Sequence, residues 1–454
     1  MRLLVLIAAL ALGALSAQHA PLAPATIRSH IEQELVTTRV PGAAIAIVSG
    51  DEVFAGSYGV ADAGNGTAMT PLTLMHVGSV TKLFTALAVT RALEAGGLPL
   101  DTPVGKVMPG LVPRAAATTF HQLLSQTSGL RDRPGDSGDG DELALASGAR
   151  ELAPSDFLLP AGIVFSYSNL GYALAGAALE SMTKKGFAEA LRESALTPLG
   201  MERSTIRPSE ALSRPHAVGH RLHGEAATTI GPPVNDTRLW PAGYLWTNAV
   251  DMSRALSALM NRGRVAGHPG LPAAIVDGIT TPHVSMPNVF VGGHYGYGLM
   301  IARDRGVLMY EHGGTLPGFS SILRLAPERQ LGIAMLTNLD NAPLRRIAQS
   351  VMAKALNLPD PVPASRAETA VSVADMKGFI GRYANRGSAE IAVRDEAVVL
   401  VLDDGPPLAV TRIGADRFLA RPKPGALGPE FVLQSATDTS PAYLHFALWA
   451  YARR

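Results

Sequence analysis

Ser79-Val80-Thr81-Lys82 sets a hydroxyl and an ammonium three residues apart, directly ahead of the apolar run Leu83-Phe84-Thr85-Ala86-Leu87-Ala88-Val89. On a helix these two side chains share one face, a turn apart. The serine, at the first turn, lies near the positive end of the helix dipole. An ammonium in an apolar setting gives up its proton more readily. Lys82 could then take the proton of Ser79 and leave an activated nucleophile. Ser-x-x-Lys spacing is common by itself: Ser181-Met182-Thr183-Lys184 repeats it. That copy runs into Lys185-Gly186, where a helix ends, and reads as solvated surface.

Two further groups give the first motif its context. Tyr167-Ser168-Asn169 falls at a loop-to-helix junction, a frequent place for functional side chains. A tyrosine beside an ammonium can serve as general acid or base, and an asparagine donates and accepts without changing charge. Tyr383-Ala384-Asn385 copies the spacing inside a strand-rich region. His312-Gly313-Gly314 falls at the end of an expected strand, where glycines let a substrate approach the strand edge closely.

These groups need a scaffold. Residues 27–40 read as a helix, 43–48 and 53–60 as two strands joined at Ser49-Gly50-Asp51-Glu52. The nucleophile helix should stop at Gly96-Gly97. From 79 to about 284 the pattern is mainly helical, with an exposed Gly- and Asp-rich loop at 131–141. Strands return at 307–311, 319–325 and 331–337, followed by a helix at 343–356. The simplest packing is an α+β fold: one antiparallel sheet, built from both ends of the sequence, flanked by helices and carrying an inserted helical region. Pro359-Asp360-Pro361-Val362-Pro363 reads as a stiff link. Beyond it, short apolar runs such as Ala397-Val398-Val399-Leu400-Val401-Leu402 read as a small, separable all-β domain, barrel-like in pattern.

With its three motifs in this order, the sequence resembles the class C β-lactamase and penicillin-binding-protein group of serine hydrolases, which also holds esterases and D-amino-acid peptidases. Phe120-His121-Gln122-Leu123-Leu124-Ser125-Gln126-Thr127-Ser128-Gly129-Leu130 is similar to that group's segment ending in Thr-Ser-Gly-Leu. Thr197-Pro198-Leu199-Gly200-Met201, Pro241-Ala242-Gly243-Tyr244 and Gly313-Gly314-Thr315-Leu316-Pro317-Gly318-Phe319-Ser320 resemble further blocks. The resemblance implies a β-lactamase/transpeptidase-like domain over 25–357, a linker over 358–371, and a lipocalin-like β domain over 372–454. It implies Ser79 as nucleophile, Lys82 as its activator, Tyr167 as proton shuttle, and Asn169 as the residue orienting Lys82 and a substrate carbonyl. The oxyanion hole would use the backbone N–H groups of Ser79 and Thr315. Where β-lactamases of this group carry Lys-Thr-Gly, this chain has His312-Gly313-Gly314. A mostly neutral imidazole holds a carboxylate less well than an ammonium, though it can still donate a hydrogen bond. That argues against efficient penicillin or cephalosporin hydrolysis and leaves ester, short-peptide or D-amino-acid substrates open.

Composition agrees with such a role. The chain has 454 residues, 47% hydrophobic and 17% charged, enough for a large core and more than one domain. A net charge of +1 gives no case for a nucleic-acid partner. With no cysteine, disulfides, thiolate chemistry and Cys-ligated metals are excluded. Met1-Arg2 followed by an apolar stretch from Leu3 to Leu15 reads as a signal peptide over 1–17, so a periplasmic or secreted protein is expected, without a stable membrane anchor. His216, His220 and His223 are spaced like metal ligands but read better as a polar loop. Tyr295-Gly296-Tyr297-Gly298 reads as a tight turn with packed rings. No phosphate loop and no Gly-x-Ser-x-Gly elbow occur. No cofactor and no metal are expected, and the partner is a small-molecule or short-peptide substrate. The alternatives are a true class C-like β-lactamase and a non-catalytic wall-binding or sensor protein on a hydrolase fold.

Overall fold

A computed structural model of the chain describes residues 23–132, 140–231, 235–287, 292–361, 367–423, 425–435 and 442–454. The expected signal segment 1–17 lies outside the described residues, as do 133–139 of the expected loop and 362–366 of the linker.

A nine-stranded antiparallel sheet forms the backbone of the larger part of the chain. Gly42–Ser49 is flanked by Glu52–Asp62 on one side and Leu331–Thr337 on the other, with the middle strand Phe319–Ala326 and then Val307–Leu316 beyond. Strand period divides the continuous apolar run of Gly42–Ser49 between two cores. Ala43, Ile45 and Ile47 join Ile333 and Met335 under the helices Pro24–Thr37 and Leu344–Ala355, through Ile27, Ile31, Leu35, Ile347 and Val351. Ala44, Ala46 and Val48 join Ala334 and Leu336 in the larger core, which takes in Met252 and Leu256 of the helix Ala249–Met260. Both faces are covered, which explains why these strands read as unbroken apolar runs.

Two differences from the sequence reading matter here. Val307–Leu316 does not stop before His312; the ladder continues through Gly313↔Ile322, Gly314↔Ser321 and Thr315↔Ser320. The sheet also extends past this strand, through Met300–Asp304, His294–Tyr295 and Val284–Ser285. Asp304 pairs with Val307 around Arg305 and Gly306, both at positive φ, a two-residue hairpin. The outer two strands, two residues long each, carry too little alternation to be legible.

The inserted region packs Thr81–Ala95 against Asn169–Thr183. Thr81–Ala95 is buried nearly all round over its first two turns and ends at Gly96, with Gly97 at φ +62°.

After residue 367, eight strands from Gly381–Ala384 to Trp449–Arg453 pair in succession, and the last pairs with the first through Tyr383↔Arg453. The result is a closed up-and-down barrel. Its interior holds Tyr383, Ile391, Leu400, Phe418, Phe431 and Leu444, with the Phe418 and Phe431 rings stacked 5.4 Å apart.

Candidate active site

Ser79 sits in the single 3-10 turn Gly78–Val80 that leads into Thr81–Ala95. Gly78 has φ +48°, and a Cβ there would lie 2.4 Å from the backbone nitrogen of Thr315. A Cβ on Gly314 would lie 1.9 Å from the Val77 carbonyl oxygen and 2.9 Å from the backbone nitrogen of Ser79. Both positions must be glycine for the turn and the strand to lie backbone to backbone. Ser321 Oγ donates to the Val77 carbonyl at 2.7 Å and holds that contact. Ser79 and Thr315, the two residues expected to supply oxyanion-hole N–H groups, thereby lie on closely apposed backbones and line one cleft.

Lys82 is fully buried. Its Nζ lies 2.6 Å from the Ala242 carbonyl, 2.7 Å from Asn169 Oδ1 and 3.2 Å from Ser79 Oγ. Burial brings its pKa down to about 7, against the opposing pull of the Asp132 charge. As a neutral amine it has two N–H bonds, which the two carbonyl oxygens can accept. The lone pair then faces the serine hydroxyl. Tyr167 hydrogen-bonds the Ser79 side chain, and its ring lies 4.7 Å from Lys82 Nζ. Burial first, then the charge environment, holds the Tyr167 phenol well above its ordinary range. Near pH 7 the site therefore pairs a protonated phenol with an amine that is substantially free.

Asn169 opens the helix Asn169–Thr183. Asp132, which sequence reasoning missed, accepts from its backbone N–H at 2.6 Å and from its Nδ2 at 2.9 Å, and from the Leu170 N–H at 3.3 Å. With Nδ2 held by a carboxylate, Oδ1 is the atom left to face Lys82. A negative charge at the first turn also suits the helix dipole. The local signal was its place two residues past Leu130, at the mouth of a loop, which carries no chemistry until the helix is docked against it.

His312 is 1% exposed and lies inside the sheet. Its Nδ1 lies 2.7 Å from the Gly313 carbonyl and so carries the proton, and its Nε2 accepts from the Tyr295 hydroxyl at 3.2 Å. Burial lowers its pKa to about 3, with Lys82 adding to the effect. The ring is neutral and both nitrogens are engaged. This corrects the expectation of a hydrogen-bond donor toward substrate: the packing spends the donor on Gly313. Tyr295 is buried with Tyr297 in the turn closed by Gly296 N–H to the Leu299 carbonyl at 2.8 Å, so the packed rings read from the sequence are present and one of them joins the His312 network.

A cleft of about 460 Å³ opens over these groups, lined by Ser79, Tyr167, Asn169, His312, Gly313, Gly314 and Thr315. Arg345 reaches it from Leu344–Ala355, with its Nε 3.0 Å from Glu311. Glu311 also pairs with buried Arg324, which reaches Asp304 at 2.6 Å. The barrel supplies Arg386, Leu448 and Trp449 to the same cleft. It is tied to the Tyr167 loop by Tyr167 N–H to the Leu448 carbonyl at 3.0 Å, Asn385 Nδ2 to Ser166 Oγ at 3.2 Å, and Ala450 N–H to Ser166 Oγ at 3.3 Å. Asn385, the copy of the Tyr-x-Asn spacing, is thus a tether.

The remaining candidates disperse. Ser181 donates to the Ala177 carbonyl at 3.3 Å, and Lys184 is exposed at the left-handed end of its helix. His220 is buried, its Nε2 accepting from Ala63 N–H and its Nδ1 donating to the Asn338 carbonyl, each at 3.0 Å. The stretch read as a polar loop is the hairpin of His220–His223 with Ala226–Thr229.

The family model described as Beta-lactamase matches residues 27–357. Penicillin-binding protein 4 of Amycolatopsis lactamdurans is 32% identical over 311 residues, covering 66% of this chain and 81% of that protein. Protein flp of Staphylococcus aureus (strain MW2) is 27% identical over 345 residues, 72% of this chain, which spans 65% of that protein's length. Among solved structures, SurE superposes with a TM-score of 0.81 at 26% identity, covering 95% of this chain and 99% of that one. A structure of SurE with D-Leu gives 0.78 at the same identity. From the length of the family match and the extent of these likenesses, the chain belongs to the Beta-lactamase family, the penicillin-binding-protein-like serine hydrolases.

Proposed function

We propose that this protein is an exported serine hydrolase that cleaves ester or amide bonds through an acyl-enzyme on Ser79. The observation that carries the reading is the buried Lys82 amine, 3.2 Å from Ser79 Oγ, with two carbonyl oxygens to take its N–H bonds and a pKa near 7. Lys82 takes the hydroxyl proton as Ser79 Oγ attacks the substrate carbonyl. The oxyanion is met by the N–H groups of Ser79 and Thr315; one such donor typically lowers the barrier by about 3 kcal/mol. Tyr167 gives its phenolic proton to the leaving group and regains one from Lys82. Water then attacks the acyl group, its proton passes to the Lys82–Tyr167 pair, and Ser79 leaves protonated. Asn169 keeps Lys82 aimed at Ser79.

Substrates that acylate without a strong cation at position 312 fit best: esters and short peptides or amides of D-amino acids. The likeness to SurE, with D-Leu in one of its structures, supports the D-amino-acid class. Export is supported by the basic and apolar start of the chain.

Fluorophosphonate labelling followed by mass spectrometry tests the reading. The adduct is expected on Ser79 and absent in Ser79→Ala. An adduct on Ser181, or full activity in Ser79→Ala, would sink it. A panel of p-nitrophenyl esters, D-alanyl peptides and nitrocefin then ranks substrates. Fast nitrocefin turnover would return the chain to the β-lactamases proper. No label at all would favour a binding protein.

A further inference from the structure

We propose that Arg386, a barrel residue, holds the α-carboxylate of a substrate that ends just beyond the scissile bond. The proposal rests on the hydrolase reading of the same cleft and adds a specificity residue from outside the family-matched segment, which stops at residue 357.

The argument begins with what the cleft lacks. None of its lining residues is an aspartate or a glutamate, while two are arginines. Such a wall favours an anion. His312 supplies no charge, since burial keeps it neutral and both of its nitrogens are engaged. Of the two arginines, Arg345 has its Nε turned to Glu311. Among the described residues no carboxylate is paired with Arg386.

Arg386 is also pre-set. Its guanidinium lies over the Trp449 ring at 4.8 Å. A planar guanidinium stacked on an indole keeps its in-plane N–H groups for a ligand and loses little freedom on binding. The turn that carries it is clamped one residue earlier. Asn385 donates to the Ala450 carbonyl at 2.7 Å and to Ser166 Oγ at 3.2 Å, and its N–H reaches the Gly387 carbonyl at 3.1 Å. Trp449 and Leu448 line the same cleft as Ser79. Leu448, beside Trp449, accepts from the N–H of Tyr167 at 3.0 Å, and Tyr167 is the proposed proton donor to the leaving group. The barrel therefore presents a bidentate cation on that side of the cleft, and a carboxylate matches its fork. The ligand class is an acyl-D-amino acid or acyl-peptide with a free C-terminus; a capped C-terminus has no anion to offer.

Binding without turnover separates this claim from the hydrolase reading. N-acetyl-D-alanyl-D-alanine and its C-terminal carboxamide are titrated by calorimetry into Ser79→Ala at fixed salt. The free acid should bind about tenfold more tightly, the scale of one charge-assisted hydrogen-bond pair. Adding Arg386→Ala should bring the two affinities together, and Arg386→Lys should keep part of the difference. Arg386 is exposed, so neither change should disturb folding. Equal binding of both peptides in the presence of Arg386, binding of neither, or a preference that survives Arg386→Ala would overturn the proposal. The hydrolase reading stands or falls separately, on labelling of Ser79 in the unaltered protein.

Discussion

The backbone N–H of Tyr167 donates to the carbonyl of Leu448, across 3.0 Å, from the catalytic part to the barrel. This contact belongs to a larger seam. Phe165 and Tyr167 cluster with Met286, Tyr295 and Met300 under Leu448 and Trp449, and Leu159 and Val164 pack with Tyr443 and Ala450. The loop that delivers Tyr167 has no strand or helix of its own over residues 160–168. It is held on one side by Thr127 and Gln126, whose carbonyls accept from Gly162 and Ser166 N–H at 2.7 and 2.9 Å, and on the other by the barrel, on which we expect its conformation to depend.

Asn385→Ala tests that dependence. It removes the donor to Ser166 Oγ and to the Ala450 carbonyl, a loss of about 1–3 kcal/mol for buried partners left unpaired. We expect kcat/KM for a p-nitrophenyl ester to fall about tenfold. Melting should remain cooperative. A variant with unchanged kcat/KM would show that the barrel is only a neighbour. A chain ended near residue 363 should for the same reason label poorly, in contrast to the separable domain that the Pro-rich link implies.

The pH dependence of acylation follows from two opposite shifts. Burial lowers Lys82 to about 7, so the free amine grows as pH rises through that value. Tyr167 is raised, so its phenol stays protonated throughout. The profile of kcat/KM should rise with an apparent pKa near 7 and show no falling limb below the ordinary tyrosine range. A rising limb only above about pH 9, where phenolate would form, would assign the base to Tyr167 instead.

Asp132→Asn removes the charge that raises Lys82 and turns a carboxylate that accepts from Asn169 Nδ2 into an amide that can oppose it. The rising limb should move to lower pH, because the ammonium loses a stabilising anion. Activity at the plateau should fall by roughly 10–100-fold as Asn169 loses its orientation. A steady-state pH series reads both effects. An unmoved limb would mean that Asp132 acts on the fold alone.

In the proposed mechanism Lys82 and Tyr167, both in contact with or beside Ser79, act as one proton-transfer unit, so their losses should not add. Lys82→Ala/Tyr167→Phe should be scarcely slower than the worse single variant. If the two losses multiply, the residues act independently and the coupled mechanism fails.

His312, His76 and His445 are buried with pKa values lowered by burial to about 3, 3 and 4. Each is neutral in the folded protein and free to protonate once unfolded. Their contribution to stability is complete above the unfolded value near 6.5 and is lost as pH falls below it. Melting temperature should therefore drop below about pH 6.5, and less steeply in His312→Ala. That variant should also be less stable at neutral pH by about 1–3 kcal/mol, since Tyr295 and the Gly313 carbonyl lose their partner. Because His312 stays neutral, the ratio of nitrocefin to ester rates should hold steady from about pH 8 to pH 5. A rise in that ratio on acidification would place an accessible, titrating imidazole in the cleft.

Local residue pattern determined a good deal here. The apolar run after Ser79 and the Gly96-Gly97 stop are properties of a few adjacent residues, and the helix Thr81–Ala95 follows them. The strands Gly42–Ser49, Phe319–Ala326 and Leu331–Thr337 were equally legible, because a strand buried on both faces is an unbroken apolar run. An all-β, barrel-like domain followed from short apolar runs cut by turns, while its closure through Tyr383↔Arg453 is a tertiary pairing. What only tertiary structure decided is how distant groups change one another. Burial of Lys82 beside Asn169 and the Ala242 carbonyl moves its proton affinity; no neighbour in sequence does so. Asp132 matters because a helix that starts at Asn169 docks its first N–H groups on it. His312 looked like a hydrogen-bond donor until the sheet ran on through Gly313 and packed Tyr295 against its ring. Asn385 looked like a stray copy until the barrel closed and brought it to Ser166. Helices and strands are written in residues a few positions apart; proton affinities and hydrogen-bond partners are set by chain segments that meet only when the fold is complete.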